Sequence, residues 1–249
     1  MISVVIPSYN HGKYLPETVN SVLDSSYKDV EIIIVDDQST DDSAEIAKNI
    51  ANKHPQITFV TQTNGGPSKA RNTGISLAKG QFILPLDSDD LIGPEYLKEA
   101  AAILENNPEV KVVYAEAQKF GAVNKPWNLK PYTPLNLAKD NMIYVSAVFR
   151  KEDWLRVGGY TENKVLVRED WEFWIKILKD GGKVEKLPFV GFYYRIHSSS
   201  RRKSMTKSAK NAEVDYLNQM HPEYFRKHLG GPLRKNRSLS RFINFFKST

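Results

Sequence analysis

Four short apolar runs punctuate the first third of the chain, and each is followed by a segment of helical periodicity. Ile2–Ile6, Glu31–Val35, Ile57–Thr61 and Gln81–Leu86 read as strands. Between and after them, Tyr14–Leu23, Asp41–Ala51, Pro67–Ala78 and Pro94–Leu104 read as helices, and Val110–Ala115 adds a fifth strand. Strands that are apolar throughout, rather than on alternate residues, are buried on both faces. Alternating them with helices predicts an α/β fold with a mostly parallel central sheet covered on both sides. Ligands of such sheets bind beyond the carboxyl ends of the strands.

Acidic residues stand at those ends. The second strand runs into Asp36-Asp37, and the fourth into Asp87-Ser88-Asp89-Asp90; a further pair, Glu169-Asp170, opens a later helix. Crowded carboxylates repel one another, increasingly so as water is excluded. A hard divalent cation such as Mg²⁺ or Mn²⁺ relieves that repulsion and commonly shares its coordination sphere with substrate phosphates. Helix caps account for Ser39, Thr40 or Asp41, and an Asp-rich turn is the plainer account of Asp87–Asp90. Neither explains two aspartates placed directly after a buried strand. Gly65-Gly66-Pro67, at the start of a helix with Lys69 and Arg71 nearby, is a candidate anion cradle. It fits neither the P-loop nor the dinucleotide glycine pattern.

Beyond Glu116 the alternation lapses. Residues 118–140 read as loop, with Pro126, Trp127, Pro131, Tyr132 and Pro134, and as the place where acceptor contacts vary. Ile143–Arg150 and Val190–Ile196 read as strands; Lys151–Val157 and Arg168–Leu178 read as helices. Lys207–Met220, Pro222–His228 and Ser238–Phe246 complete a helical tail. Trp171, Phe173 and Trp174 fall on packing faces.

Six segments, taken in order, are similar to glycosyltransferase family 2. They are VVIPSYN (Val4–Asn10), VDDQSTDDS (Val35–Ser43), NGGPSKARNTGI (Asn64–Ile75), LDSDD (Leu86–Asp90), EDWEFW (Glu169–Trp174) and YRIH (Tyr194–His197). The series spans about residues 1–200. The resemblance implies a GT-A fold and an inverting, metal-dependent transferase that uses a nucleotide-sugar donor. It places Pro7, Tyr9 and Asn10 beside the nucleoside, with Asp37 on a uracil-type base and Asp36 next to it. Asn64, Gly66 and Arg71 would line the nucleotide. Asp87-Ser88-Asp89 matches the DXD motif, which contacts ribose and the metal-bound diphosphate; Asp87, Asp89, Asp90 and His197 are the candidate ligands of Mn²⁺ or Mg²⁺. Asp170 matches the general base, with Glu169 as its neighbour. Arg201, with Arg202 and Lys203, would close over the diphosphate. The common family pattern has Gly where this chain has Gln38.

The implied domains are a catalytic one over 1–200, its nucleotide-sugar half 1–117 and its acceptor half 118–200, followed by a basic helical extension over 201–249. The implied reaction moves a sugar, UDP-linked by resemblance, to a carbohydrate or lipid-linked sugar acceptor in bacterial-type surface polysaccharide or glycoconjugate synthesis. A sugar nucleotidyltransferase or a non-catalytic sugar-nucleotide-binding module are the alternatives.

Composition refines these expectations. With no cysteine, thiolate metal sites, disulfides and thiol nucleophiles are excluded. The formal charge of +6 is uneven. After His197 the chain carries 12 Lys+Arg against 3 Asp+Glu, which leaves 23 against 26 before it. A net-negative body argues against nucleic acid as the partner. The basic tail, interleaved with Leu and Phe, reads either as a peripheral membrane contact or as a helix docked on the body. The first residues carry no signal-peptide pattern, and no apolar run approaches the roughly 18 residues of a membrane span. The expected location is cytoplasmic, or peripheral on the cytoplasmic face of a membrane.

Overall fold

The computed structural model describes residues 1–197 and 206–247, the side chain of Lys247 excepted. They form two compact units, one of 1–128, 145–162 and 182–197, the other of 129–144, 163–181 and the C-terminal residues.

The first unit holds the sheet. Strands β1 (Ile2–Ser8), β2 (Val30–Asp36), β3 (Ile57–Thr61) and β4 (Phe82–Pro85) form its parallel half, in the order β3-β2-β1-β4. Ile2, Val4, Val5, Ile6, Ile32, Ile33 and Ile34 are almost wholly buried, because helices cover both faces. Those helices include α1 (Leu15–Leu23), α2 (Ser43–Ala51), α3 (Pro67–Leu77) and α4 (Tyr96–Asn106). Helix α3 lies close on β1 and β2: a Cβ at Gly74 would sit 2.4 Å from Val5 Cγ1, so only glycine permits the approach. The sheet continues through β8 (Val148–Arg150), β6 (Val110–Gly121), β9 (Lys183–Ile196) and β5 (Leu91–Ile92), while β7 (Lys125–Pro126) pairs with β6. The long registers are parallel; each antiparallel pairing spans two residue pairs.

Three expected boundaries change. The segment 118–140 is not all loop: β6 runs to Gly121 because it pairs with β9 as far as Ile196, and Pro134–Lys139 forms helix α5. Strand β9 begins at Lys183, seven residues before the expected start; Lys183, Glu185 and Lys186 face solvent and hid the strand from an apolar reading. Conversely, Ile143, Tyr144 and Ala147 are buried without being strand, since burial alone mimics the strand signal.

Asn72 of α3 fastens helix α6 (Lys151–Val157) and the turn after it. Its Oδ1 accepts from Trp154 Nε1 (3.1 Å) and Tyr160 N (2.8 Å); its Nδ2 donates to Tyr160 O (2.8 Å) and Glu162 Oε1 (2.9 Å). Asn72→Ala strands two donors, at about 1–3 kcal/mol each when buried. Chemical denaturation should show a loss of about 2–4 kcal/mol with an unchanged slope; a loss within about 0.5 kcal/mol would contradict this bridging role.

The second unit is helical: α5 (Pro134–Lys139), α7 (Glu169–Leu178), α8 (Lys207–Met220), α9 (Pro222–Leu229) and α10 (Ser240–Lys247). Arg168 is its hub, bonding Asp140 (2.8 Å) and the fully buried Glu213, and Asp140 also accepts from Arg237. Trp171 Nε1 donates to Leu137 O (2.7 Å), Tyr224 Oη to Pro134 O (3.0 Å), and His221 Nε2 pairs with Glu172 Oε1 (2.8 Å). These bonds tie the C-terminal helices to residues 129–144 and 163–181, with which they form the second compact unit. As expected, Trp171, Phe173 and Trp174 are fully buried.

Candidate active site

In the first unit, the carboxyl ends of β1 and β2 bring together the first group of candidate residues. Pro7 pairs in register with Val35, and Ser8 with Asp36. Asp36 is buried; its Oδ2 accepts from Ser39 N (3.1 Å). Asp36 Oδ1 and Ser8 Oγ are both buried without a hydrogen-bond partner among the described residues. Such atoms are costly unless something else satisfies them.

Asp37 is better provided for. Its Oδ1 accepts from Gln62 Nε2 (2.7 Å) and Gly65 N (2.9 Å), and its Oδ2 accepts from Gly66 N (2.8 Å). The Gly65-Gly66 turn is a candidate anion cradle by sequence, and in the structure the anion its two amides hold is the Asp37 carboxylate. Gly66 has φ +84°, which aims its N–H and favours glycine. One acceptor direction remains on Asp37 Oδ2, so the residue can still receive a donor from a ligand.

The neighbouring loop is held by its own polar atoms. Asn10, at φ +54°, accepts through Oδ1 from Thr40 N (2.8 Å) and Thr40 Oγ1 (3.3 Å), while Tyr9 beside it is half exposed. Gln38 lies at φ +64°, the left-handed region, which explains why glycine suits this position. Its Oε1 accepts from Asn64 N (3.1 Å), and Asn64 Nδ2 donates to Asp37 O (3.0 Å).

The second group follows β4. Asp87 Oδ1 accepts from Arg71 Nη2 (2.7 Å), a guanidinium only 2% exposed. Ser88 Oγ bonds His11 Nδ1 (2.9 Å), and its carbonyl accepts from Thr18 Oγ1 (3.0 Å). Asp89 is only slightly exposed: its Oδ2 lies 2.7 Å from His197 Nε2, and its Oδ1 lies 3.9 Å from His11 Nδ1. Asp90 turns inward and is fully buried, its Oδ1 accepting from Arg195 N (2.8 Å), its Oδ2 without a partner among the described residues. Burial pushes its pKa well above the usual carboxylate value, the Asp89 and Asp87 charges add to this, and Arg195 acts the other way.

In the second unit, Glu169 and Asp170 form the first turn of α7. Asp170 Oδ1 accepts from Trp171 N (2.9 Å), and its Oδ2 from Asn141 Nδ2 (2.7 Å). Glu169 is buried. Arg201, Arg202 and Lys203 lie outside the described residues.

Comparison with known proteins gives this arrangement a family. The family model for glycosyl transferase family 2 matches residues 3–169. An uncharacterized glycosyltransferase of Haemophilus influenzae is 33% identical over 184 residues, 72% of this chain and 72% of its own length. The chain belongs to glycosyl transferase family 2. The poly(ribitol-phosphate) β-N-acetylglucosaminyltransferase TarS of Staphylococcus aureus is 28% identical over 77% of this chain and 35% of its own. The crystal structure of TarS residues 1–349 with UDP-GlcNAc matches 92% of this chain and 72% of that one, with a TM-score of 0.73 at 24% identity. The mannosyltransferase PcManGT of Pyrobaculum calidifontis, with GDP-Man and Mn²⁺, matches 97% and 69%, with a TM-score of 0.65 at 20% identity. The fold is therefore GT-A, as the sequence implied.

For a family 2 glycosyltransferase the question is whether these residues suit a divalent ion. Asp89 offers a carboxylate beside the imidazole of His197, with His11 close by, a hard-oxygen and imidazole donor set compatible with Mn²⁺ or Mg²⁺. Among the described residues, no three His, Asp or Glu side chains converge to chelate an ion alone.

His11 and Arg195 escaped the sequence reading. His11 follows Asn10 on the same strand-end loop, a position that could have flagged it. Arg195 lies inside the YRIH segment, where its backbone N–H holds Asp90, its Nε donates to Asp89 O (2.8 Å), and its Nη2 bonds Glu17 (2.5 Å).

Proposed function

We propose that this glycosyltransferase moves a sugar from a nucleoside-diphosphate donor, UDP-linked by preference, to a hydroxyl of a carbohydrate or lipid-linked sugar acceptor. The transfer inverts the anomeric configuration, depends on Mn²⁺ or Mg²⁺, and serves the synthesis of a surface polysaccharide or glycoconjugate. One observation carries the reading: at the end of β4, the partly exposed Asp89–His197 pair stands next to Asp87, which a buried arginine holds in place. TarS with UDP-GlcNAc and PcManGT with GDP-Man and Mn²⁺ support a nucleotide-sugar donor and a divalent ion.

Each residue then has a task. The unfilled acceptors of Asp36 and Asp37 receive the nucleoside between Pro7, Tyr9 and Asn64. Arg71 fixes Asp87 toward the ribose. Asp89 and His197 would hold the ion, whose charge would supply electrostatic stabilisation at the diphosphate. Asp90 and Arg195 keep the Asp89 backbone in place. Asp170, oriented by Asn141, takes the proton of the acceptor hydroxyl. Glu169 flanks it.

A panel of UDP- and GDP-sugars, scored by nucleoside diphosphate release with Mn²⁺, Mg²⁺ or a chelator, tests the reading. Release from a UDP-sugar that stops with chelator supports it. Equal release with chelator contradicts metal dependence, and formation of a nucleoside triphosphate when inorganic pyrophosphate is supplied would indicate a nucleotidyltransferase.

A further inference from the structure

Helix α10 is packed inside out. Its polar residues Ser240 and Asn244, one turn apart, are 0% and 2% exposed, while Phe242, Phe245 and Phe246 are 64%, 66% and 61% exposed. The inward face is secured by specific bonds. Asn244 Nδ2 donates to Leu229 O (3.1 Å) and Pro232 O (2.9 Å), and its Oδ1 accepts from Arg234 Nε (2.7 Å). Ser240 Oγ accepts from Arg234 N (2.9 Å). A Cβ at Gly231 would lie 2.9 Å from Asn244 Cγ, so the turn after α9 needs glycine to admit the amide. A polar lock thus fixes which way the phenylalanines face.

That outward face is continuous. Phe242, Phe245 and Phe246 follow the three- and four-residue spacing of one helical stripe, with ring centroids 4.8 Å apart for Phe242–Phe246 and 5.3 Å for Phe245–Phe246. Leu239 extends it, and Lys139, Ser238 and Arg241 border the open depression beside it. Grouped apolar exposure of this kind marks an interaction surface.

The surrounding charge selects the partner. Residues 224–249 contain seven Lys+Arg and no Asp or Glu; Arg241 is exposed and lines the depression beside the stripe, and Lys235 is exposed in the segment that leads into the helix. Pairing this face with its counterpart on a second copy would bring like charges together. An anionic surface would neutralise them. No helix among the described residues is long and apolar enough to cross a membrane, so a helix of this kind lies in the interface, its aromatic face among the upper acyl chains and its basic residues at the headgroups. We propose that α10 docks this protein on an anionic lipid surface through Phe242, Phe245 and Phe246, oriented by the Ser240–Asn244 lock. This goes beyond the transfer reaction and does not depend on it.

The test uses the full chain in sedimentation with vesicles of phosphatidylcholine alone and with about one-third phosphatidylglycerol. The wild type should partition at least about tenfold more strongly onto the anionic vesicles, and lose that preference as salt rises toward about 0.5 M. The combined substitutions Phe242→Ser, Phe245→Ser and Phe246→Ser should lower partitioning by about tenfold or more, with circular dichroism and nucleoside diphosphate release unchanged. Lys235→Glu with Arg241→Glu should weaken anionic binding alone. Equal binding of wild type to both vesicles, or undiminished binding of the Phe variant, would overturn the proposal. So would a wild-type dimer, seen by light scattering without lipid binding, that the Phe variant abolishes. The salt titration needs no variant, so the proposal stands or falls even if a substitution unfolds the chain.

Discussion

Asp170→Asn is expected to lower the turnover of sugar transfer by roughly 10²- to 10⁴-fold, the range for loss of a positioned general base. Donor affinity should stay within about twofold, because the change removes an interaction made with the acceptor proton and not with the nucleotide. Both Asp170 oxygens are acceptors in the structure, one from Trp171 N and one from Asn141 Nδ2. An asparagine amide must turn its NH₂ toward one of those donors, so a small loss of stability, about 1 kcal/mol, accompanies the loss of the base. Asn141→Ala separates the two effects. It keeps the carboxylate but frees its orientation, so it should reduce turnover by roughly tenfold with donor affinity unchanged. Turnover of Asp170→Asn within about tenfold of wild type would remove Asp170 from the base role.

The second large effect belongs to Asp89. Asp89→Ala should depress transfer by roughly 10²- to 10³-fold and abolish the gain in nucleotide affinity that Mn²⁺ confers, since carboxylate and ion act together on the leaving diphosphate. His197 then loses its 2.7 Å partner while remaining partly solvated, so little stability is lost. Asp87→Ala makes the informative contrast. There the deletion takes the Asp87 carboxylate away from Arg71, a guanidinium 2% exposed, and losing one charged hydrogen-bond partner at a buried group costs about 1–3 kcal/mol. Calorimetric titration of UDP with and without Mn²⁺ distinguishes the two variants: Asp89→Ala should remain folded and bind UDP indifferently to metal. Metal-enhanced binding that survives Asp89→Ala would assign the ion to other ligands.

The parallel half of the sheet was legible because its physics is one-dimensional. Ile2–Ile6, Glu31–Val35 and Phe82–Leu86 are apolar apart from Ser3 and Glu31, and a doubly covered strand is the place for such runs. The acidic edge was legible for the complementary reason, that aspartates directly after a buried strand have no cheap structural excuse. What escaped depends on partners distant in sequence. The first half of β9 is a strand because β6 lies beside it, although Lys183, Glu185 and Lys186 look like a turn. His11 carries no signal until β1 and β4 are adjacent and bring it to Ser88 and Asp89. Asp37 was read as awaiting a base, whereas the structure shows it also fastening the Gly65-Gly66 turn. In α10, composition announced an amphipathic helix but not which face is buried; the amide of Asn244 decides that, against the hydrophobic expectation.

The most direct measurement is ³¹P NMR of the purified chain incubated with a UDP-sugar, a set of saccharide acceptors and Mg²⁺, repeated after chelation. The account predicts that the diphosphate resonances of the donor are replaced by those of UDP, one for each sugar transferred, and that chelator arrests the change. UMP with sugar 1-phosphate among the products, which marks cleavage of the diphosphate bond instead of sugar transfer, would contradict it, as would UDP formation at the same rate after chelation.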